Sequence, residues 1–97
     1  MRAYSARHIT RLASYNDTPA VNYDLVEHIR NAAPEFTNPQ IFKIQIMVDA
    51  PCKVLINGNS DIDINPTYGL TLDYSDLMIN SFVFKTANVN VYAVIGY

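Results

Sequence analysis

The sequence has little of several residue types on which common functional sites depend. Its 97 residues include one cysteine, three glycines and no tryptophan. Cys52 alone cannot form an internal disulfide, and it supplies only one of the roughly four ligands of a structural zinc site. Three glycines also make a glycine-rich phosphate-binding loop hard to build. The composition therefore predicts no metal and no cofactor.

Long hydrophobic runs are also missing. The chain lacks the roughly eighteen consecutive apolar residues of a membrane-spanning helix, and its first residues lack the apolar run of a signal peptide. We therefore expect a protein that is made in the cytoplasm and has no membrane partner. Because 49% of the residues are apolar and the formal net charge is −2, the chain should fold around one small core.

Positive charge is concentrated at the start of the chain. Residues 1–15 hold three arginines and no acidic residue, whereas residues 16–97 hold four cations and nine anions. This pattern predicts either an extended arm that lies on an acidic surface, its own or a partner's, or a locally folded strand or frayed tail. Three arginines offer few phosphate contacts and the remaining chain is acidic, which argues against nucleic acid as the partner.

One short helix is predicted over residues 23–32. Asn22 is suited to the N-cap position, and Pro34 disfavours helical geometry at the residue before it, so the helix should end there. Its apolar stripe consists of Leu25, Val26 and Ile29.

From residue 41 the composition becomes that of a β protein. Ile, Val, Phe, Tyr and Thr make up 24 of the last 57 residues, against 11 of the first 40. Strands are predicted over 42–48, 52–57, 61–65, 69–74, 78–84 and 89–96. The expected fold is mainly β: an antiparallel β-sandwich or jelly-roll-like domain over residues 41–97, with the arm and the helix in residues 1–40.

Side-chain alternation predicts the register of one hairpin. A three-residue loop over 57–59 keeps buried residues opposite buried residues, whereas a two-residue loop mixes the faces. Asn59 is then expected in the left-handed conformation that closes such loops. The predicted pairs are Cys52–Ile64 and Val54–Ile62 on the inner face, with Lys53–Asp63 and Leu55–Asp61 on the outer face.

A second hairpin is predicted near the end of the sequence. A four-residue loop over 85–88 would place Phe84 opposite Val89 and Phe82 opposite Val91.

Two further connections depart from regular strands. Ile79 has the wrong parity relative to Phe82, which predicts a bulge near residues 80–81. Residues 49–51 include a proline and fit a change of sheet as well as a hairpin.

Few polar side chains have the spacing of a catalytic or metal site. Asp61 and Asp63 should lie about 6.6 Å apart on one strand face, within the range of glycosidase carboxyl pairs, but this spacing is ordinary for solvated strand residues. Residues 57–61 offer oxygen ligands yet depart from the EF-hand order. His8 and His28 fit no metal-binding repeat. We therefore predict no catalytic residue and no enzymatic activity.

The β region carries an Ile56-Asn57-Gly58 hairpin, a polar turn after Ile64, an Ile79-Asn80-Ser81-Phe82 strand and a closing Ile95-Gly96-Tyr97 strand. In these features residues 52–58, 62–70, 79–84 and 91–97 resemble small β-sandwich proteins of tailed-bacteriophage virions. The resemblance implies a head decoration, a neck or tail adaptor, or a fibre or spike component. Its implied partners are other virion proteins and copies of itself. Residues 1–40 lie outside the likeness.

Two functional hypotheses follow. The first is a non-enzymatic structural subunit of a virion, which an arm and sheet surfaces would join to its neighbours. The arm's predicted interface residues are Arg2, Tyr4, Arg7, Arg11 and Tyr15, and Tyr23 belongs to the same group of interface-prone tyrosines. The second hypothesis is a glycan- or receptor-binding module that uses Asn57, Asn59, Tyr68 and Tyr74.

Overall fold

The computed structural model describes residues 11–35, 40–58, 60–73 and 78–97. Within these ranges the chain is mainly β, with one short helix. In chain order the elements are β1 (Leu12–Asp17), α1 (Leu25–Ala32), β2 (Lys43–Val48), β3 (Cys52–Ile56), β4 (Ser60–Ile64), β5 (Leu70–Asp73), β6 (Phe82–Phe84) and β7 (Val91–Gly96). The strands form two antiparallel sheets, in the orders β1-β7-β2-β5 and β4-β3-β6.

One hydrophobic core joins both sheets and the helix. Alternation along β2 buries Ile44, Ile46 and Val48 and exposes the residues between them, as the sequence predicts. The apolar stripe of α1 is buried in the same cluster. Phe82 and Phe84 on β6 contribute an edge-to-face ring pair with centroids 5.5 Å apart. Both sheets and the helix thus contribute side chains to one core, and burial of these apolar side chains stabilises the fold.

The register predicted for the β3–β4 hairpin is confirmed. Val54 lies opposite Ile62 and Cys52 opposite Ile64, with Lys53 opposite Asp63 on the other face. The turn places two residues, Asn57 and Gly58, in the left-handed region, with φ of 55° and 76°. Asn59, for which that conformation was expected, lies outside the described residues.

The prediction of a final hairpin is wrong. Strand β6 pairs with β3 in the three-stranded sheet, whereas β7 lies between β1 and β2 in the other sheet. The chain therefore crosses from one sheet to the other between Phe84 and Val91. Phe82, Phe84, Val89 and Val91 are all buried. Alternation shows which side of a strand is buried but does not identify the strand that pairs with it.

Two other connections also change sheets or interrupt a strand. Residues 49–51 connect β2 to β3 and thus pass from one sheet to the other. The predicted strand over 78–84 is regular only over Phe82–Phe84, and Ile79 makes an isolated antiparallel bridge to Ile41. The parity change near residues 80–81 is therefore a break in the strand and not a bulge.

Residues 12–17 form a strand, which was the alternative to an extended arm. β1 pairs with β7 along its whole length, from Leu12 opposite Gly96 to Asp17 opposite Val91. The six residues include one large side chain that is buried, Tyr15 at 7% exposure, so the strand has little apolar pattern in the sequence. Residues 1–10, the rest of the predicted arm, lie outside the described residues.

The helix begins two residues after the predicted position. Asp24, not Asn22, is the N-cap, and its Oδ1 accepts hydrogen bonds from the backbone N–H of Val26 and of Phe82, both at 3.0 Å. Asn22 takes a left-handed φ of 72°, and its side chain accepts a hydrogen bond from Lys85 Nζ at 2.7 Å. One carboxylate thus caps α1 and also holds it against β6.

Candidate interaction site

The predicted interface residues of the described chain lie at different depths. Arg11 is exposed, and its guanidinium contacts Glu35 at 2.5 Å. Its pKa is raised by a side-chain hydrogen bond to Tyr97 and then by Glu35. Tyr15 is buried, and its ring stacks between those of Tyr23 and Phe84, at centroid distances of 5.8 and 6.3 Å. Arg2, Tyr4 and Arg7 lie outside the described residues.

An open pocket lies where the end of β1 meets the loop that leads to α1. We call it the tyrosine pocket; its volume is about 320 Å³, and its lining residues are Tyr15, Asn16, Asp17, Thr18, Pro19, Ala20, Tyr23 and His28. β1 supplies Tyr15 from its inward face, and α1 supplies His28, whose ring meets the Tyr15 ring edge-on at 5.1 Å. His28 Nε2 lies 2.8 Å from the carbonyl oxygen of Ser14. This hydrogen bond joins the helix to the edge strand and fixes one wall of the pocket.

Carboxylates dominate the electrostatics around the pocket. Burial, then Asp17, raises the pKa of Tyr15 to about 12. The pKa of Tyr23 is also raised, by burial and then by Glu27, Asp17 and Asp24. Both phenols therefore stay neutral at physiological pH, beside a negative potential. Such a pocket favours a cation over an anion.

Among the carboxylates around the pocket, Asp17 has the most hydrogen-bonding capacity left for a ligand. Asp24 uses one oxygen for two backbone N–H groups, and Glu27 pairs with Arg30 one turn along the helix. Asp17 lines the pocket itself, and its one hydrogen bond within the described part of the chain comes from the adjacent Thr18 N–H, at 2.8 Å. A carboxylate can accept several further hydrogen bonds.

The four-stranded sheet presents a second candidate surface, on the side away from the core. We call it the outer face; along β1, β7, β2 and β5 its side chains are Leu12, Ser14, Asn16, Tyr92, Val94, Lys43, Gln45, Met47, Thr71 and Asp73. Leu12, Met47 and Tyr92 are 70%, 43% and 48% exposed. A cavity of about 240 Å³ lies beside Met47 and Tyr92 at one end of this face. Lys43 and Asp73 are the charged residues in the set, and they lie opposite each other on β2 and β5, so the rest of the face is uncharged.

The two described residues of the ligand-binding hypothesis, Asn57 and Tyr68, are not brought together. Asn57 lies at the turn before β4 and Tyr68 at the turn after it, so about 16 Å of strand separates them. The Asn57 side chain is engaged by Met78, Asn80 and Ser81, whereas Tyr68 is 81% exposed. Asn59 and Tyr74 lie outside the described residues.

Two predictions about polar residues on β3 and β4 are confirmed. Lys53 Nζ lies 4.0 Å from Asp63 Oδ1 on an exposed face, a pair worth at most about 1 kcal/mol. Cys52 is buried opposite Ile64, and burial raises the pKa of its thiol. Lys53, Asp63 and Cys52 all belong to the three-stranded sheet, and none of them lines the tyrosine pocket or the outer face.

Comparison of the chain with models of protein families, with curated proteins and with solved structures found no match. Over the described ranges, no three His, Cys, Asp or Glu side chains are grouped as a metal site would require. The same ranges contain no helix that is long and apolar enough to span a bilayer.

The sequence pattern marks Tyr15 and Tyr23 as interface-prone residues but does not predict the pocket that they share. His28 reaches the pocket because α1 packs against β1, and this contact has no local signal in the sequence. Asp17 was not predicted as a lining residue, because the strand that positions it was predicted only as an alternative to the arm.

Proposed function

We propose that this protein is a non-enzymatic structural subunit of a bacteriophage virion. Its two sheets would form a β-sandwich that binds copies of itself and other virion proteins. The resemblance of the β3–β4 hairpin and the β7 strand to phage virion proteins supports the virion part of the proposal. On this proposal the protein is made in the host cytoplasm and becomes part of the virion. Its partners are proteins, not a membrane or nucleic acid.

The observation that carries the assembly role is the composition of the outer face. An exposed tyrosine, methionine and leucine lie there among mostly uncharged residues, and the two charged side chains, Lys43 and Asp73, are of opposite sign and lie opposite each other. Interface centres are depleted in charge and enriched in tyrosine and methionine. Met47 and Tyr92 lie opposite each other on neighbouring strands, and exposed apolar side chains that are grouped on one surface mark interaction sites.

Lysine substitutions on this face test the proposal. We expect the wild-type chain to self-associate in sedimentation equilibrium, and Tyr92→Lys or Met47→Lys to weaken that association at least tenfold. Tyr68→Lys is the matched control, because Tyr68 is also exposed but lies on a turn outside the four-stranded sheet. A wild-type chain that stays monomeric at about 1 mM, or equal association of all the variants, would refute self-assembly through this face.

The virion assignment has a separate test. Mass spectrometry of purified particles from the phage that encodes the chain should detect it in stoichiometric amounts. Its absence from those particles would refute the assignment.

The alternative function is a glycan- or receptor-binding module, and the observation in its favour is the exposed ring of Tyr68. An exposed aromatic ring provides a stacking surface for a ligand. Glycan-array binding that Tyr68→Ala abolishes would support the alternative. The alternative gives no reason for Tyr92→Lys or Met47→Lys to weaken self-association.

A further inference from the structure

The tyrosine pocket has the chemistry of a site for an organic cation. It combines an aromatic lining of Tyr15, Tyr23 and His28 with the exposed carboxylate of Asp17. Its volume of about 320 Å³ accommodates one long side chain or a small ligand. A cation is attracted both to aromatic rings and to a carboxylate, so these groups act on the same ligand.

Among cations, a guanidinium fits this lining better than an ammonium. It is planar and weakly hydrated, it stacks on aromatic rings, and it forms two parallel hydrogen bonds with one carboxylate. An ammonium is a compact point charge with a strong hydration shell, which burial against tyrosine rings would partly remove.

The chain itself carries a complementary segment. Residues 1–10 precede Arg11 and β1, contain Arg2 and Arg7 and have no acidic residue. β1 runs from Leu12 to Asp17, so the pocket lies at the end of the strand that is remote from this segment. The chain's own segment would have to reverse direction and run back along the strand, whereas the segment of a neighbour can approach the pocket directly.

We propose that the tyrosine pocket binds the guanidinium group of Arg2 or Arg7 from residues 1–10 of a second copy of this chain. The guanidinium would pair with the Asp17 carboxylate and lie against the Tyr23 ring. The inference rests on the proposed function, because it names one contact through which the subunits assemble.

Titration of a full-length acceptor chain with a synthetic peptide tests the pocket. The acceptor carries Arg2→Gln and Arg7→Gln, so that its own segment does not compete, and the peptide has the sequence of residues 1–10. We expect NMR shifts at Tyr15, Asp17 and Tyr23. A peptide with both arginines replaced by lysine should bind several-fold more weakly than the wild-type peptide. A peptide with both replaced by glutamine should bind at least about tenfold more weakly.

Two aspartate variants of the acceptor separate a specific site from general attraction. Asp17→Asn should lower peptide affinity about tenfold, whereas Asp61→Asn, which removes an exposed strand carboxylate of the other sheet, should leave it unchanged. Equal loss in both variants, equal binding of the arginine and glutamine peptides, or shifts outside the pocket would overturn the inference.

Sedimentation of the wild-type chain distinguishes this inference from the proposed function. If residues 1–10 of a second copy occupy the pocket, Asp17→Asn should weaken self-association. The double variant Arg2→Gln/Arg7→Gln should weaken it as well. A monomeric wild-type chain whose pocket is occupied would overturn the role of the second copy. Association that depends on Tyr92 but leaves the pocket empty would overturn the inference and leave the proposed function standing.

Discussion

Replacing Asn57 with alanine tests how the β3–β4 turn is joined to the segment before β6. The Asn57 side chain donates to the carbonyl of Met78 at 2.9 Å and accepts from the N–H groups of Asn80 and Ser81 at 2.7 and 3.3 Å. Three such bonds at this half-buried site contribute about 2–3 kcal/mol. Alanine in the left-handed conformation costs about 1 kcal/mol more.

The expected destabilisation is therefore about 3–4 kcal/mol, a large share of the roughly 5–15 kcal/mol that stabilises a domain of this size. Urea denaturation followed by circular dichroism measures it, and the melting temperature should fall by about 12–25 °C. Asn57→Gly relieves the backbone strain and should lose only the hydrogen bonds.

Asn88 provides the matched control. It also has a positive φ, of 63°, but its side chain makes no hydrogen bond to another described residue. Asn88→Ala should therefore cost about 1 kcal/mol, the backbone contribution alone. If Asn57→Ala and Asn88→Ala destabilise the protein equally, the hydrogen bonds of Asn57 do not stabilise the fold and the reasoning is wrong.

Three further predictions concern other positions. Gly69→Ala should cost about 3 kcal/mol or more in urea denaturation, because the new Cβ would lie 2.5 Å from a backbone oxygen. Gly58→Ala, which meets no atom within 4 Å, should cost about 1 kcal/mol, and equal losses would contradict the steric argument. Asp24→Ala should lose about 2–4 kcal/mol by calorimetry and Asp24→Asn much less, since the amide keeps the capping oxygen. The raised pKa of Tyr15 contributes stability below pH 10 that is lost towards pH 12, so Tyr15→Phe should flatten the alkaline decline of the melting temperature; an unchanged decline would refute this.

The sequence predicts those parts of the fold in which local pattern and turn chemistry agree. In the β3–β4 hairpin, the alternation around Val54 and Ile62 permits one register, and the Asn57–Gly58 turn supplies the left-handed residues that it needs. The stripe of α1 is likewise a local pattern.

Partnership between distant elements could not be predicted in the same way. Phe84 and Val89 satisfy burial whether their strands pair with each other or lie in different sheets, so alternation did not distinguish the two arrangements. β1 was predicted only as an alternative to the arm, because Tyr15 is the one large buried side chain in a polar edge strand. The tyrosine pocket depends on both of these long-range choices.

The position of β7 has a consequence for the synthesis of the protein. This strand lies between β1 and β2, and it brings Gly96 opposite Leu12 across nearly the whole described chain. β1 thus leaves the ribosome long before its pairing strand exists, and β2, which can pair earlier with β5, keeps its other edge unpaired until the same strand is made. Such distant pairings slow folding and keep strand edges unpaired meanwhile. The four-stranded sheet can therefore close only after translation has passed residue 96, and nascent chains that stop earlier should bind chaperones.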